Sequence, residues 1–214
     1  MGVFAVEFNS RRVVFFRKSS PAFNERDVTS VLAACRGGDT HAQRALFNLF
    51  YSYGKSICLR HAANAEDAEE ILNDGFMKVF QHLPTYDPAL PFKAWFRSIL
   101  IRTCIDYHRR RGKYNYHLDL EVVEAPALDG SVVDQIAAEE ILSLVQQLPT
   151  SYRTVFVLHV MDGYNHREIG ELLGINEVTS RTNFMKARLK LQERVSALYP
   201  HLLPAGLTGK YREN

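Results

Sequence analysis

The residue types that do chemistry are present in this chain, but not in the patterns that catalysis needs. His166, Arg167 and Glu168 match the H-x-E half of a zinc deaminase signature, yet the required P-C-x-x-C partner is missing. Glu66, Asp67, Glu69, Glu70 and Asp74 form an acidic cluster of the kind that di-metal bundles use. Such sites also want Glu-x-x-His pairs on facing helices, and that pair occurs nowhere in the sequence. Walker, G-x-G-x-x-G and G-x-S-x-G motifs are likewise absent. No catalytic residue, metal ligand or cofactor is therefore expected, and binding chemistry is what remains.

Three stretches could bind. Asp67, Glu70 and Asp74 stand at i, i+3 and i+7, on one face of a helix. That face is either a solvated surface or a dock for a basic partner, where complementary charge sets register and speeds encounter. From Lys93 to Lys113 seven Lys or Arg face a single acid, Asp106. In this block Phe92, Trp95, Phe96 and Tyr107 are interleaved with Lys93, Arg97, Arg102, Arg109, Arg110 and Arg111. Basic groups neutralise phosphates and aromatics offer platforms for unstacked bases, so single-stranded DNA is a candidate ligand. Phe96 is expected in the core.

The third stretch, Tyr164 to Leu191, has the pattern of a helix-turn-helix. Ile169, Leu172 and Leu173 give one apolar side, and Gly174 can end that helix in a left-handed conformation. Asn176 can cap the next helix, with Glu177 in its first turn. That helix is expected to bury Ser180, Phe184, Ala187 and Leu191. Its other faces would show Arg181, Thr182, Asn183, Met185, Lys186, Arg188 and Lys190. An ordinary helical hairpin with a solvated basic face is the alternative.

The elements that must position these stretches are helical. Asn24 or Asp27 can cap a first helix ending at Gly37-Gly38. A second opens at Asp39 or Thr40, with Ala42, Ala45, Leu46, Leu49, Phe50, Tyr53, Ile57 and Leu59 as its apolar face. A third runs from Asn64 to Leu83, with Phe76 among its inward residues, and a fourth from Phe92 to Arg111. The three prolines of Pro84 to Pro91 make the intervening segment a loop. After an acidic linker, a further helix carries Ile136, Ile141, Leu142, Leu144, Val145 and Leu148. Another carries Tyr152, Val155, Phe156 and Val160 before the helix-turn-helix. Residues 1–22 contain two β-prone runs that could form a small hairpin, and residues 200–214 look like a loose tail.

Composition bounds the class. With 214 residues, 46% hydrophobic and 23% charged, the chain suits a globular protein of one or two domains. The net charge of +2 hides a basic block followed by seven acids without a Lys or Arg from Tyr114 to Glu140. Three scattered cysteines, Cys35, Cys58 and Cys104, argue for a reducing compartment. No membrane span or signal peptide is expected, and the cytoplasm is the expected location.

The ordered set AEDAEEILNDGFMKVFQHL, PFKAWFRSILIRTCIDYHRRRGK, LPTSYRTVFVLHVMDGYNHREIGELLGI and TSRTNFMKARLKL resembles an extracytoplasmic-function (group IV) sigma factor of bacterial RNA polymerase. The first block resembles region 2.2, the second regions 2.3 to 2.4, and the last two region 4. The resemblance implies an all-α fold of two helical domains, sigma-2 at 23–112 and sigma-4 at 134–199, joined by a linker at 113–133. It also implies no enzymatic activity.

The same resemblance carries roles to particular positions. Asp67, Glu70, Asn73, Asp74 and Phe76 would dock on the clamp helices of the polymerase β′ subunit. The loop Thr85 to Pro91 would hold a flipped base of the −10 element, with Phe92, Lys93 and Trp95 beside it. Arg97, Arg102, Arg109, Arg110 and Arg111 would serve the phosphates. Arg181, Thr182, Met185 and Lys186 would read the −35 element in the major groove, with Arg188 better suited to the backbone. Sigma-4 would also rest on the β flap, and many members have an anti-sigma factor as a further partner. Two residues depart from the pattern: Val178 stands where glycine is usual and Ser180 where an apolar residue is usual. A free-standing helix-turn-helix regulator on duplex operators is the competing reading, and it would need neither the acidic face nor the aromatic-basic block.

Overall fold

The computed structural model describes residues 23–111 and 138–200. The unassigned N-terminal extension, the acidic linker, Ile136 and the tail beyond residue 200 lie outside the described residues. Every regular element among the described residues is helical. The chain divides into two compact units, Met1–Leu59 with Ala65–Thr103, and Arg60–Asn64 with Cys104–Asn214.

In the first unit, α1 (Val28–Arg36) starts where Asp27 accepts hydrogen bonds from the Thr29 and Ser30 amides at 3.2 and 3.1 Å. These bonds satisfy amides that have no partner within the helix. Asp39 does the same for α2 (Thr40–His61), accepting from the His41 and Ala42 amides at 2.8 and 3.1 Å. The helix α3 (Ala65–His82) runs into a single 3-10 turn, Leu83–Thr85, and the loop to Pro91 leads into α4 (Phe92–Arg110), whose end from Cys104 onward belongs to the second unit. The core of the unit is aromatic. Fully buried Phe96 lies within 5.1 to 6.3 Å of the rings of Phe76, Phe50, Phe92 and Tyr53. One residue of the α2 face departs from expectation. Leu49 is 45% exposed, because it stands at the border of the stripe that Leu46 and Ile57 bury.

In the second unit, α5 (Ala138–Gln146) and α6 (Thr150–Phe156) precede a π-helical turn, Val157–Met161. The Asp162 amide reaches back to the Val157 carbonyl at 3.0 Å, one residue further than an α-helix allows. The extra residue shifts the phase of the helix, and Val160, expected inward, is 53% exposed. Arg153 is buried and donates to the carbonyls of Gln146, Leu148 and His61 at 2.6, 3.3 and 3.1 Å. His61 Nε2 and Asp162 Oδ2, also buried, lie 2.9 Å apart.

The last two helices are α7 (His166–Leu173) and α8 (Glu177–Leu198). A reciprocal cap opens α7: Asn165 Oδ1 accepts from the Glu168 amide at 2.9 Å, and Glu168 Oε2 accepts from the Asn165 amide at 2.8 Å. Gly174 ends α7 at φ 71°, and Asn176 Oδ1 accepts from the Thr179 amide at 2.6 Å to start α8. The turn is tight because a Cβ at Gly170 would lie 2.8 Å from the Ile175 carbonyl oxygen. The far end of α8 is tied down by Arg194, which donates to the carbonyls of Leu144 and Gln147 at 3.3 and 3.1 Å.

Gly170→Ala should therefore push the Ile175 backbone aside and cost about 1–3 kcal/mol, as overpacking usually does. Urea unfolding followed by circular dichroism measures this, and an unchanged midpoint would mean the two backbones are not in close contact.

Candidate nucleic-acid interface

The outward face of α8 is set by what its inward face touches. Ser180 and Ala187 are fully buried, and Phe184 and Leu191 are half-buried. Ser180, a polar residue in an apolar slot, is satisfied by His166 Nδ1 at 3.0 Å. The His166 ring stacks on His159 at 4.4 Å, and both rings lie against Phe184, at 5.6 and 4.8 Å. Burial pushes the His166 pKa below the usual histidine value, and nearby His159 and Arg181 add to the shift. A neutral imidazole therefore sits beneath the first turns of α8.

Arg181 is exposed, while Thr182, Met185, Lys186 and Arg188 are half-buried, and Lys190 is exposed. Asn183 corrects the sequence expectation. It is 2% exposed and belongs to the inward side, three residues on from Ser180 and four before Ala187. Glu177 Oε1 accepts from Arg181 Nε and Nη2 at 3.1 and 2.5 Å. One edge of the guanidinium is thus held, and its remaining N–H groups can donate outward. Thr182 Oγ1 donates to the Val178 carbonyl at 3.0 Å, and the Arg188 guanidinium lies 5.9 Å from the Phe184 ring. Val178 itself is 63% exposed, an apolar residue at the start of the outward face.

In the first unit, α4 opens on a surface of mixed aromatic and basic character. Lys93 is exposed, with its ammonium 4.4 Å from the Tyr53 ring. Trp95 is half-buried, 4.8 Å from Tyr86 and 5.6 Å from Phe92. Arg97 is half-buried and Arg102 exposed. Phe92 is only 6% exposed, because Phe50 and Tyr86 meet it edge-on at 4.9 and 5.6 Å. It supports the surface from below and is not itself a platform. Arg109, Arg110 and Arg111 are exposed in the second unit, with Arg111 4.4 Å over the Tyr107 ring.

The acidic face of α3 is smaller than the sequence spacing implied. Glu70 is exposed, and Asn73 and Asp74 are half-buried. Asp67 is 7% exposed and Phe76 3%, so neither offers a side chain to a partner. Phe76 is core, with Phe47 at 4.6 Å and Phe96 at 5.1 Å. Neighbouring Glu69 is engaged by Lys55 Nζ and Tyr51 Oη, both at 2.6 Å, and their hydrogen bonds lower its pKa. Sequence reasoning passed over Arg36, whose guanidinium donates to backbone carbonyls 47 and 50 residues away, at Leu83 and Tyr86. Contacts of that range leave no local pattern.

Among the described residues no group of three His, Cys, Asp or Glu is placed to hold a metal. Nor is any helix among them long and apolar enough to cross a membrane.

Comparison with known proteins assigns two segments of the chain. Residues 46–114 match the family model for sigma-70 region 2, and residues 138–191 match that for sigma-70 region 4. The chain is 29% identical over 174 residues to the ECF RNA polymerase sigma factor SigW of Bacillus subtilis (strain 168), covering 75% of this chain and 92% of that protein. It is 28% identical over 152 residues to the RNA polymerase sigma factor SigV of the same organism, covering 71% and 84%. A solved structure of the sigma factor RpoE in complex with the anti-sigma factor NepR, from Bartonella quintana, superposes with a TM-score of 0.45 at 19% identity. It covers 70% of this chain and 94% of that one. Two regions of one family, matched in order along a single chain, make this protein a member of the sigma-70 family in its extracytoplasmic-function group, a sigma factor that directs transcription initiation at promoters.

Proposed function

We propose that the region 2 and region 4 segments contact the two promoter elements separately, and that α3 carries the dock for core polymerase. The observation that carries this reading is the outward face of α8. Arg181, Thr182, Met185 and Lys186 stand at i, i+1, i+4 and i+5 on a helix whose start is held by the Gly174 turn. A helix in the major groove meets base edges with its N-terminal residues, so these four face the −35 element, and Arg188 faces phosphates. An arginine or lysine offers donors to guanine O6 and N7, and a methionine offers an apolar surface to a thymine methyl.

In the first unit the loop Thr85 to Pro91, Lys93 and Trp95 take the melted −10 strand, with Phe92 beneath them. Arg97 and Arg102 serve its phosphates, as do Arg109, Arg110 and Arg111. Unstacking costs a few kcal/mol per base, which ring stacking and phosphate neutralisation offset. Core docking on the β′ clamp helices falls to Glu70, Asn73 and Asp74, with Asp67 and Phe76 shaping α3 from within. The second unit also rests on the β flap, and an anti-sigma factor is a further partner. The protein acts in the cytoplasm by binding, without catalysis of its own or a cofactor.

Two variants test the division of labour. Lys186→Ala should lower transcription from a −35-dependent promoter by about tenfold, since a good base contact is worth about 1–3 kcal/mol. Core binding should stay at the wild-type level. Asp74→Arg should weaken capture of core polymerase several-fold while the circular dichroism spectrum is unchanged, because a reversed charge opposes a basic partner. If Asp74→Arg bound core as the wild type does, the α3 dock would be wrong. If Lys186→Ala left −35 dependence intact, the assignment of α8 would be.

A further inference from the structure

The loop between the 3-10 turn and α4 has little helical hydrogen bonding of its own, yet it is tied at both ends. At its entrance the Leu83 carbonyl accepts from the Tyr86 amide at 3.2 Å and from Arg36 Nε, also at 3.2 Å. Arg36 Nη2 donates to the Tyr86 carbonyl, and the guanidinium carbon stands 5.7 Å from the Tyr86 ring. At the exit the Tyr86 hydroxyl donates to the Leu90 carbonyl. The Tyr86 ring, 5% exposed, packs against both Trp95 and Phe92. Burial raises the Tyr86 phenol pKa, so the hydroxyl keeps the proton that it donates.

Arg36 can do this because its base is rigid. It is the last residue of α1, a helix anchored by buried Val31, Leu32, Ala34 and Cys35. A planar, permanently charged fork can bridge two carbonyls, whereas the single ammonium of a lysine cannot keep the same geometry. Arg36 also precedes the segment matched by the region 2 family model, which begins at residue 46.

We propose that Arg36 is the positioning residue of the base-capture loop: it bridges the Leu83 and Tyr86 carbonyls, Tyr86 holds Leu90 in turn, and the loop is shaped before the extruded base arrives. The proposal rests on the reading of this loop as a pocket for a flipped base. Preorganisation of this kind raises affinity by removing the entropy cost of ordering the loop on binding. The effect should therefore be confined to the captured nucleotide.

The test uses holoenzyme assembled from this chain and core polymerase. The probe is a fluorescent non-template −10 oligonucleotide from a promoter mapped by transcript 5′ ends after expression of the protein. Each nucleotide is replaced in turn by an abasic site. Wild type should lose affinity sharply at one captured position. Arg36→Met should weaken the intact oligonucleotide about tenfold, equivalent to about 1.4 kcal/mol, and should bind the abasic one as wild type does. Arg36→Lys should recover little of the loss. Tyr86→Phe, which keeps the ring and removes only the bond to Leu90, should show a smaller loss of the same kind. Core affinity and binding to a −35 duplex should not change. A wild-type ratio of intact to abasic binding in Arg36→Met would overturn the proposal, as would equal losses on both probes. If wild type itself showed no captured position, the base-capture reading of the loop would fail instead.

Discussion

The turn between α7 and α8 depends on two backbones approaching more closely than side chains normally permit. Gly170 lies beneath the Ile175 carbonyl with no room for a Cβ, and Gly174, four residues later at the end of the same helix, takes a left-handed conformation. That contact decides where α8 begins, and hence which of its residues face outward. The caps at Asn165 and Asn176 then satisfy the amides that the two helix starts leave unpaired. The Arg181 face thus depends on a backbone contact between α7 and the turn that leads into α8.

The rest of the second unit is held by polar groups that would be costly if unpaired. Arg153 is surrounded by three carbonyls, and His61 meets Asp162 out of water. A buried guanidinium contributes to a fold only when its donors are met, and losing a partner costs far more than an apolar substitution would. The π-helical turn is what brings Asp162 round to His61, and it also turns Val160 outward. The first unit uses the other solution: a cluster of rings centred on Phe96, with charge kept at its edge.

The helices, their caps at Asp27 and Asn176, the Gly174 turn and the aromatic core could be read from spacing, because each is a local or periodic signal. The positions of Leu49, Val160, Asn183, Asp67 and Phe92 could not. Leu49 and Asn183 stand at the border of a stripe, where periodicity does not decide the side. Val160 lies within a π-helical turn, which changes the period that the pattern assumes. Motif position gives Asp67 and Phe92 outward roles, whereas both are buried, Phe92 by Phe50 and Tyr86. Arg36, Arg153 and His61 act through carbonyls or carboxylates distant in sequence, which no window along the chain reports.

The central claim is that two separate faces of this chain read two promoter elements while it is bound to polymerase. The most direct measurement is transcription by purified core polymerase plus this protein on a library of promoter fragments, with the active fragments sequenced. The account predicts transcripts that require both components and share two conserved motifs at a fixed spacing upstream of the start. Failure of the purified protein to bind core polymerase, together with tight binding to a palindromic duplex on its own, would contradict it.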